Sequence, residues 1–134
     1  MPQGAVWERE YKNPQFLTKD AKPQIDTKRF LRFLGSKQGL ALEGLRVLDL
    51  GSGTGRNANY IAKLGNSVEG LEISATAVRL AQERAKALSV NAHFRVADMG
   101  VEYPFADQSF EVVIDVTSSN SLNDKERSIY LKEI

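Results

Sequence analysis

The 134-residue sequence predicts an α/β domain of three layers, a mostly parallel sheet with helices on both faces. Three observations carry this. From residue 43 onward, short apolar runs alternate with segments of helical period, the pattern of βα units. One run, Arg46–Leu50, passes straight into the glycine-rich turn Gly51-Ser-Gly-Thr-Gly55, and a helical pattern follows at once. A second strand then ends on a carboxylate, Glu72, 21 positions after Gly51.

The elements follow in order. Residues 1–25 are polar and hold Pro2, Pro14 and Pro23, while Trp7 and Tyr11, four apart, suit one face of a short helix. Asp26 is expected to cap a helix over 27–38 whose apolar set is Phe30, Leu31, Phe33 and Leu34. Residues 1–42 thus read as an N-terminal helical cap segment, and 43–134 as the domain proper. Leu45–Leu50 is a buried strand, and 56–64 a helix with Ala58, Ile61, Ala62 and Gly65 on one face. Gly65-Asn66 stops it, and a strand over 67–72 follows. Ser74 caps a helix to Leu88 with Val78, Ala81, Ala85 and Leu88 as its buried stripe. Ala92, Phe94 and Val96 alternate with His93 and Arg95 in a third strand. After a loop over 98–109, the apolar run 110–116 reads as a central strand buried on both faces. Asn123 or Asp124 opens a last helix that runs to Ile134.

Composition removes several function classes. The formal net charge of +1 gives no electrostatic footprint for nucleic acid or an anionic membrane. No cysteine is present, which excludes disulfides, thiolate metal sites and cysteine nucleophiles, and a single histidine excludes a histidine-rich metal site. No apolar run approaches the roughly 20 residues of a membrane span, and the N-terminus lacks a signal-peptide core. No metal and no membrane are expected, and the expected location is cytoplasmic.

A strand that meets a helix through glycines brings backbone N–H groups close to a ligand. A carboxylate at the end of the next strand can accept both hydroxyls of a ribose. Together they describe the Rossmann-like way of holding a nucleoside-containing cofactor. Dinucleotide binding, and with it an NAD-dependent oxidoreductase, fits less well. The third glycine of that fingerprint comes one residue early, at Gly55, and the sixth position is the bulky Arg56. Asp49, two residues before the first glycine, would repel a pyrophosphate and suits a cationic or zwitterionic ligand.

The stretch Val47-Leu-Asp-Leu-Gly-Ser-Gly-Thr-Gly55 resembles the first motif of the class I S-adenosylmethionine-dependent methyltransferase family. Val68–Val78, Ala97-Asp98-Met99 and Phe105–Asp115 resemble its later segments, so the likeness covers roughly 43–134. The resemblance implies S-adenosyl-L-methionine as cofactor and a sheet in the order 3-2-1-4. It implies that Gly51, Ser52, Gly53 and Gly55 wrap the sugar and amino acid parts and that Asp49 orients the ammonium. Glu72 would hold the ribose, Ile73 would cover the adenine, and Asp98 with Met99 would meet its amino group. Asp115 or the Val116–Ser119 backbone would border the methyl-donor end. Each acid also has a local reading: Asp49 as a brace of the turn, Asp98 as a turn cap, Asp115 as a loop cap.

Methyl transfer from a sulfonium needs alignment and exclusion of water more than a triad, and none is visible. No general base can be named; His93 reads as a surface residue. Ser118, Ser119 and Asn120 are either acceptor-pocket groups or loop polar groups. The sequence Asp115-Val-Thr-Ser-Ser-Asn120 departs from the Asn/Asp-Pro-Pro-Tyr/Phe motif of amino-directed nucleic-acid enzymes, which with the neutral net charge speaks against nucleobase amino methylation but not against RNA or protein substrates in general; a small-molecule acceptor is the leading expectation. Trp7, Tyr11 and Phe16 either close over the cofactor or pack on the sheet. A non-catalytic nucleoside-binding module is the alternative reading. The family's sheet has seven strands and four are legible, so the C-terminal strands are missing. The chain is expected to be a fragment, or else a second copy in a homodimer covers the edge of the 110–116 strand.

Overall fold

The computed structural model describes residues 2–12 and 22–134. Its elements are α1 (Pro2–Lys12), α2 (Ile25–Ser36), β1 (Arg46–Leu50), α3 (Arg56–Lys63), β2 (Ser67–Glu72) and α4 (Ala75–Leu88). They continue with β3 (Ala92–Val96), β4 (Val112–Asp115), a single 3-10 turn over Ser119–Ser121, and α5 (Asp124–Glu133). The four strands form one sheet in the order β3-β2-β1-β4, and every pairing is parallel. The predicted order and class are those observed.

The two-residue period of the strands decides what each face carries. Val47, Val68, Ala92, Phe94, Val112 and Ile114 point to one side. There they pack with Leu31 of α2, Ala58, Ile61 and Ala62 of α3, and Val78, Ala81 and Ala85 of α4. Leu48, Leu50 and Leu71 point to the other side, which is covered by Tyr103 and the segment around Ala97, Met99, Phe105 and Phe110, with Tyr130 of α5. Asp49 belongs to the helix-covered face. Its register partners are Gly70 on β2 and Ile114 on β4, so it lies inside the sheet rather than at its rim.

Local signals account for most boundaries. Ser74 accepts from the Ala77 amide and starts α4. Asn123 and Glu126 form a reciprocal capping box at the start of α5, a motif whose cap residue contributes about 1 kcal/mol. Asn66, after the Gly65 stop, accepts from Leu45 N–H and donates to the carbonyls of Leu42 and Ile61, joining three segments.

Four expectations change. Gln24, not Asp26, occupies the cap position of α2, without a side-chain bond. Asp26 lies in the first turn and pairs with Arg29 at 3.8 Å in solvent, so the helix begins two residues early. Phe30 and Phe33 are exposed, and Thr27 and Leu31 are the buried face of α2. Leu88 (48% exposed) and Val96 (56%) are not buried, because the last turn of α4 and the end of β3 reach the border of the sheet. The fourth strand is shorter than 110–116 and not central among the described residues. Val112 and Ile114 are buried, but Val113 faces the thinly covered side and is 38% exposed.

Candidate functional site

The glycine turn lies across the carboxyl ends of β1 and β2. Gly51 N–H and Ser52 N–H both donate to Leu71 O, at 2.8 and 3.0 Å, which folds the turn back over β2. Two glycines are required by what occupies the place of a side chain. At Gly51 (φ +68°) the Ser118 side chain fills that position, and Ser118 Oγ donates to Gly51 O at 3.3 Å. At Gly53 (φ +57°) a Cβ would stand 2.7 Å from the Tyr11 hydroxyl.

Glu72 is the polar centre of this wall. It is 6% exposed; Oε2 accepts from Gly53 N–H at 2.8 Å and Oε1 from Ser74 N–H at 3.0 Å. Each oxygen keeps a further lone pair for a ligand hydroxyl. Burial pushes its carboxyl above the usual range, opposed by the amide hydrogen bonds.

A cavity of about 240 Å³ opens on these groups. Gly51, Ser52, Gly53, Glu72, Ile73, Asp98 and Met99 line it, seven of the ten residues named from the sequence. Asp98 Oδ1 accepts from Gly100 N–H at 2.8 Å, so its turn-capping role is realised while it also borders the cavity.

The other three lie behind the wall. Gly55 is packed against Phe94 and Ala81 and lets α3 approach the sheet. Asp49 is 2% exposed, and its Oδ2 has no hydrogen-bond partner. Burial, with the negative charges of Glu72 and Asp115, raises its carboxyl to about 8. Asp115 braces the turn after β4. Its Oδ1 accepts from the amides of Ser118 and Ser119, and its Oδ2 accepts from Tyr130 at 2.6 Å. Burial alone would raise its carboxyl; bonds from Ser119, Tyr130 and the Ser118 amide outweigh that and hold it below its ordinary value. Tyr130→Phe is therefore expected to lower the thermal midpoint by the equivalent of about 1–2 kcal/mol in a melting curve. An unchanged midpoint would show that the bond is not needed to hold the turn.

Of the three aromatics that could close over a cofactor, Trp7 and Tyr11 line the cavity, with ring centroids 6.3 Å apart. Phe16 lies outside the described residues. Burial raises the Tyr11 hydroxyl pKa, and the nearby Glu72 adds to it. Gln24, Asn57 and Leu122 also line the space and were not anticipated, while Val116, Thr117 and Ser118 line it from the backbone expected at the methyl-donor end. Gln24 and Asn57 pair through Gln24 N–H to Asn57 Oδ1 and Asn57 Nδ2 to Gln24 Oε1, a contact across 33 residues that leaves no local trace.

These residues fit a nucleoside linked to an ammonium group. Glu72 offers acceptors at the wall, the glycines of the turn let Ser118 and Tyr11 pack against it, and behind the wall Asp49 keeps one oxygen without a hydrogen-bond partner. Among the described residues no acidic or histidine cluster could hold a metal. No helix among them is long and apolar enough to cross a membrane.

Comparison with known proteins points the same way. Residues 47–134 match the family model described as a methyltransferase domain. A ubiquinone biosynthesis O-methyltransferase from Rhizobium etli is 36% identical over 80 residues, covering 60% of this chain and 32% of the relative. A 23S rRNA (uracil(747)-C(5))-methyltransferase from Pyrococcus horikoshii is 46% identical, over 52 residues that make up 39% of this chain and 13% of that protein. A solved structure from the conversion of a disulfide bond into a thioacetal group during echinomycin biosynthesis superposes with a TM-score of 0.80. Its sequence identity is 27%, over 98% of this chain and 54% of that one. The chain spans about a third of the Rhizobium relative's length.

Proposed function

The chain belongs to the methyltransferase-domain family, matched over residues 47–134, and from that membership we propose that it binds S-adenosylmethionine and transfers the methyl group to a small-molecule acceptor by direct displacement. The observation that carries this reading is Glu72, fixed by the Gly53 and Ser74 amides at the cavity wall with lone pairs left over. In the proposal Glu72 takes the ribose hydroxyls, Ile73 covers one adenine face, and Asp98 with Met99 meets the adenine amino group. Asp49 is the counter-charge for the ammonium, directly or through a water. Gly51, Ser52 and Gly53 present backbone to the ligand, and Asp115 holds the turn at the methyl-donor end. The cofactor supplies a methyl group already activated by its sulfonium charge. What the chain adds is alignment and, through Trp7 and Tyr11, exclusion of water.

The acceptor is assigned by weaker support. The Rhizobium relative is named for an O-methylation in ubiquinone biosynthesis, whereas the Pyrococcus relative acts on RNA. Likeness to the latter covers a short stretch, and this chain has no excess of positive charge for a nucleic acid. Residues 43–134 are proposed as the cofactor-binding unit and 1–42 as its cap. The outer edge of β4, unpaired among the described residues, is proposed as the place where further polypeptide or a second copy completes the sheet. A cytoplasmic setting belongs to the same proposal and agrees with the absence of cysteine.

Calorimetric titration with S-adenosylhomocysteine, S-adenosylmethionine and NAD tests the reading. Saturable binding of the first two and none of NAD is expected. NAD binding without a response to S-adenosylhomocysteine would overturn it. Turnover of a labelled methyl donor on a panel of phenol, carboxylate and amine acceptors then separates an enzyme from a binding module.

A further inference from the structure

Helix α1 meets the rest of the molecule along one face. Gly4 lies on Ile73, Glu8 reaches the start of α4, and Tyr11 covers Gly53, a spacing of four and then three residues. None of the α1 side chains described is buried; Val6 and Trp7 are exposed to 50% and 38%. Apart from the half-buried Tyr11, α1 therefore gives little apolar burial to fix it over the cavity.

The polar contact at Glu8 is of a different order. Its Oε2 accepts from Ser74 Oγ at 2.5 Å and from Thr76 N–H at 3.2 Å, and its Oε1 accepts from Thr76 Oγ1. These are charge-assisted bonds at a helix N-terminus, where a carboxylate is favoured. The first turn of α4 has no acidic residue of its own, so the negative charge comes from another helix. Hydrogen bonds from Ser74 and Thr76 hold the Glu8 carboxyl down to about 2, so it is ionised throughout the neutral range. Ser74 also donates its N–H to Glu72, which places the contact one residue from the proposed ribose acceptor.

We propose that Glu8 is a latch: its bonds to Ser74 and Thr76 hold α1, with Trp7 and Tyr11, closed over the cavity and set how long a bound nucleoside ligand stays. The latch itself is a property of the free chain. Only its effect on ligand residence rests on the functional reading above. Breaking it lets α1 swing from the wall while the glycine turn and Glu72 keep their own hydrogen bonds. The ligand is then held by its floor without its cover, and the effect falls on dissociation.

Trp7 is the single tryptophan of the chain and reports the latch directly. Glu8→Ala and Thr76→Val are expected to shift Trp7 emission to the red and to increase its quenching by acrylamide in the free protein, with far-ultraviolet circular dichroism preserved. Thr76→Ser, which keeps the hydroxyl, should behave as wild type. In stopped flow, S-adenosylhomocysteine should dissociate about tenfold faster from Glu8→Ala, with its association rate little changed. The double variant should be no worse than Glu8→Ala alone, because both changes remove one interaction. Wild-type quenching in Glu8→Ala, or full additivity of the two changes, would overturn the latch. If wild type fails to bind S-adenosylhomocysteine, the functional reading falls, and acrylamide quenching of the free variants still decides the latch.

Discussion

Asp49→Asn is expected to stabilise the free protein and at the same time to remove most of its affinity for S-adenosylhomocysteine. The two effects have one cause. Asp49 is buried between Gly70 and Ile114 with an unpartnered Oδ2, and its carboxyl stands near 8 against an ordinary value of 3.8. Burial is the main reason, and Glu72 and Asp115 add to it. A raised folded-state value means that the folded chain holds the proton more tightly than the unfolded one. Stability is then fully present below about pH 4 and drains away as pH rises toward about 8, at roughly 1.4 kcal/mol per unit. Asparagine has the shape of the protonated acid and none of this slope. The variant should melt higher than wild type at pH 7 and show a flatter pH profile across that window. A ligand ammonium, by contrast, needs the carboxylate. Losing it should weaken S-adenosylhomocysteine by roughly 2–5 kcal/mol, at least thirtyfold. Wild type should also release a proton on binding at pH 7, seen as a dependence of calorimetric heat on buffer ionisation enthalpy, and the variant should not. Equal affinity in the two proteins would remove Asp49 from the site and leave it as a strained brace of the turn.

Glu72→Gln should lose both binding and stability. Both carboxylate oxygens accept backbone N–H groups, from Gly53 and from Ser74. Whichever way a glutamine amide is turned, its NH2 faces one of those N–H donors. A buried donor is left without an acceptor, at a cost of about 1–3 kcal/mol in the melting or denaturant curve. The same change removes one acceptor from the ribose side, and affinity for S-adenosylhomocysteine should fall about 5- to 150-fold. Because Glu72 is one of the charges that raise Asp49, the proton released on binding should also diminish in this variant. Reduced stability with unchanged affinity would make Glu72 a support of the turn alone.

The parts of this molecule that could be read from its sequence are those whose cause is local. The run from Arg46 through the glycine turn to Glu72 is legible because strand, turn and helix follow each other without interruption. The Ser74 cap and the alanine stripe of α4 are legible because helical period is written within a single segment. What escapes has its cause at a distance. Nothing near Gln24 announces that Asn57 will meet it, and nothing near Gly51 announces Ser118. Asp26 has the chemistry of a cap, yet the helix begins ahead of it at Ile25. The apolar run from Phe110 reads as a central strand because composition reports hydrophobicity and not which neighbour will cover it; Val113 shows the difference. Asp49 and Asp115 are assigned through the family resemblance, but register puts Asp49 inside the sheet, and Asp115 gives one oxygen to the turn after β4 and the other to Tyr130 of α5.

The unequal cover of the two sheet faces has a consequence for how the cavity breathes. On one side, thirteen buried residues of α2, α3, α4 and the strands form a continuous block; on the other, the three buried leucines Leu48, Leu50 and Leu71 sit beneath the loop that carries Tyr103 and beneath Tyr130 of α5. Local opening takes place where little apolar surface must be exposed, so hydrogen exchange is expected to be fast for the amides of 97–110 and 116–122 and slow for those of β1 and β2. The cavity is built from both populations: Gly51, Gly53 and Glu72 from the slow block, Asp98, Met99, Thr117 and Ser118 from the fast margin. A ligand spanning them is expected to join the two into one cooperative unit and so to slow the exchange of the margin's amides.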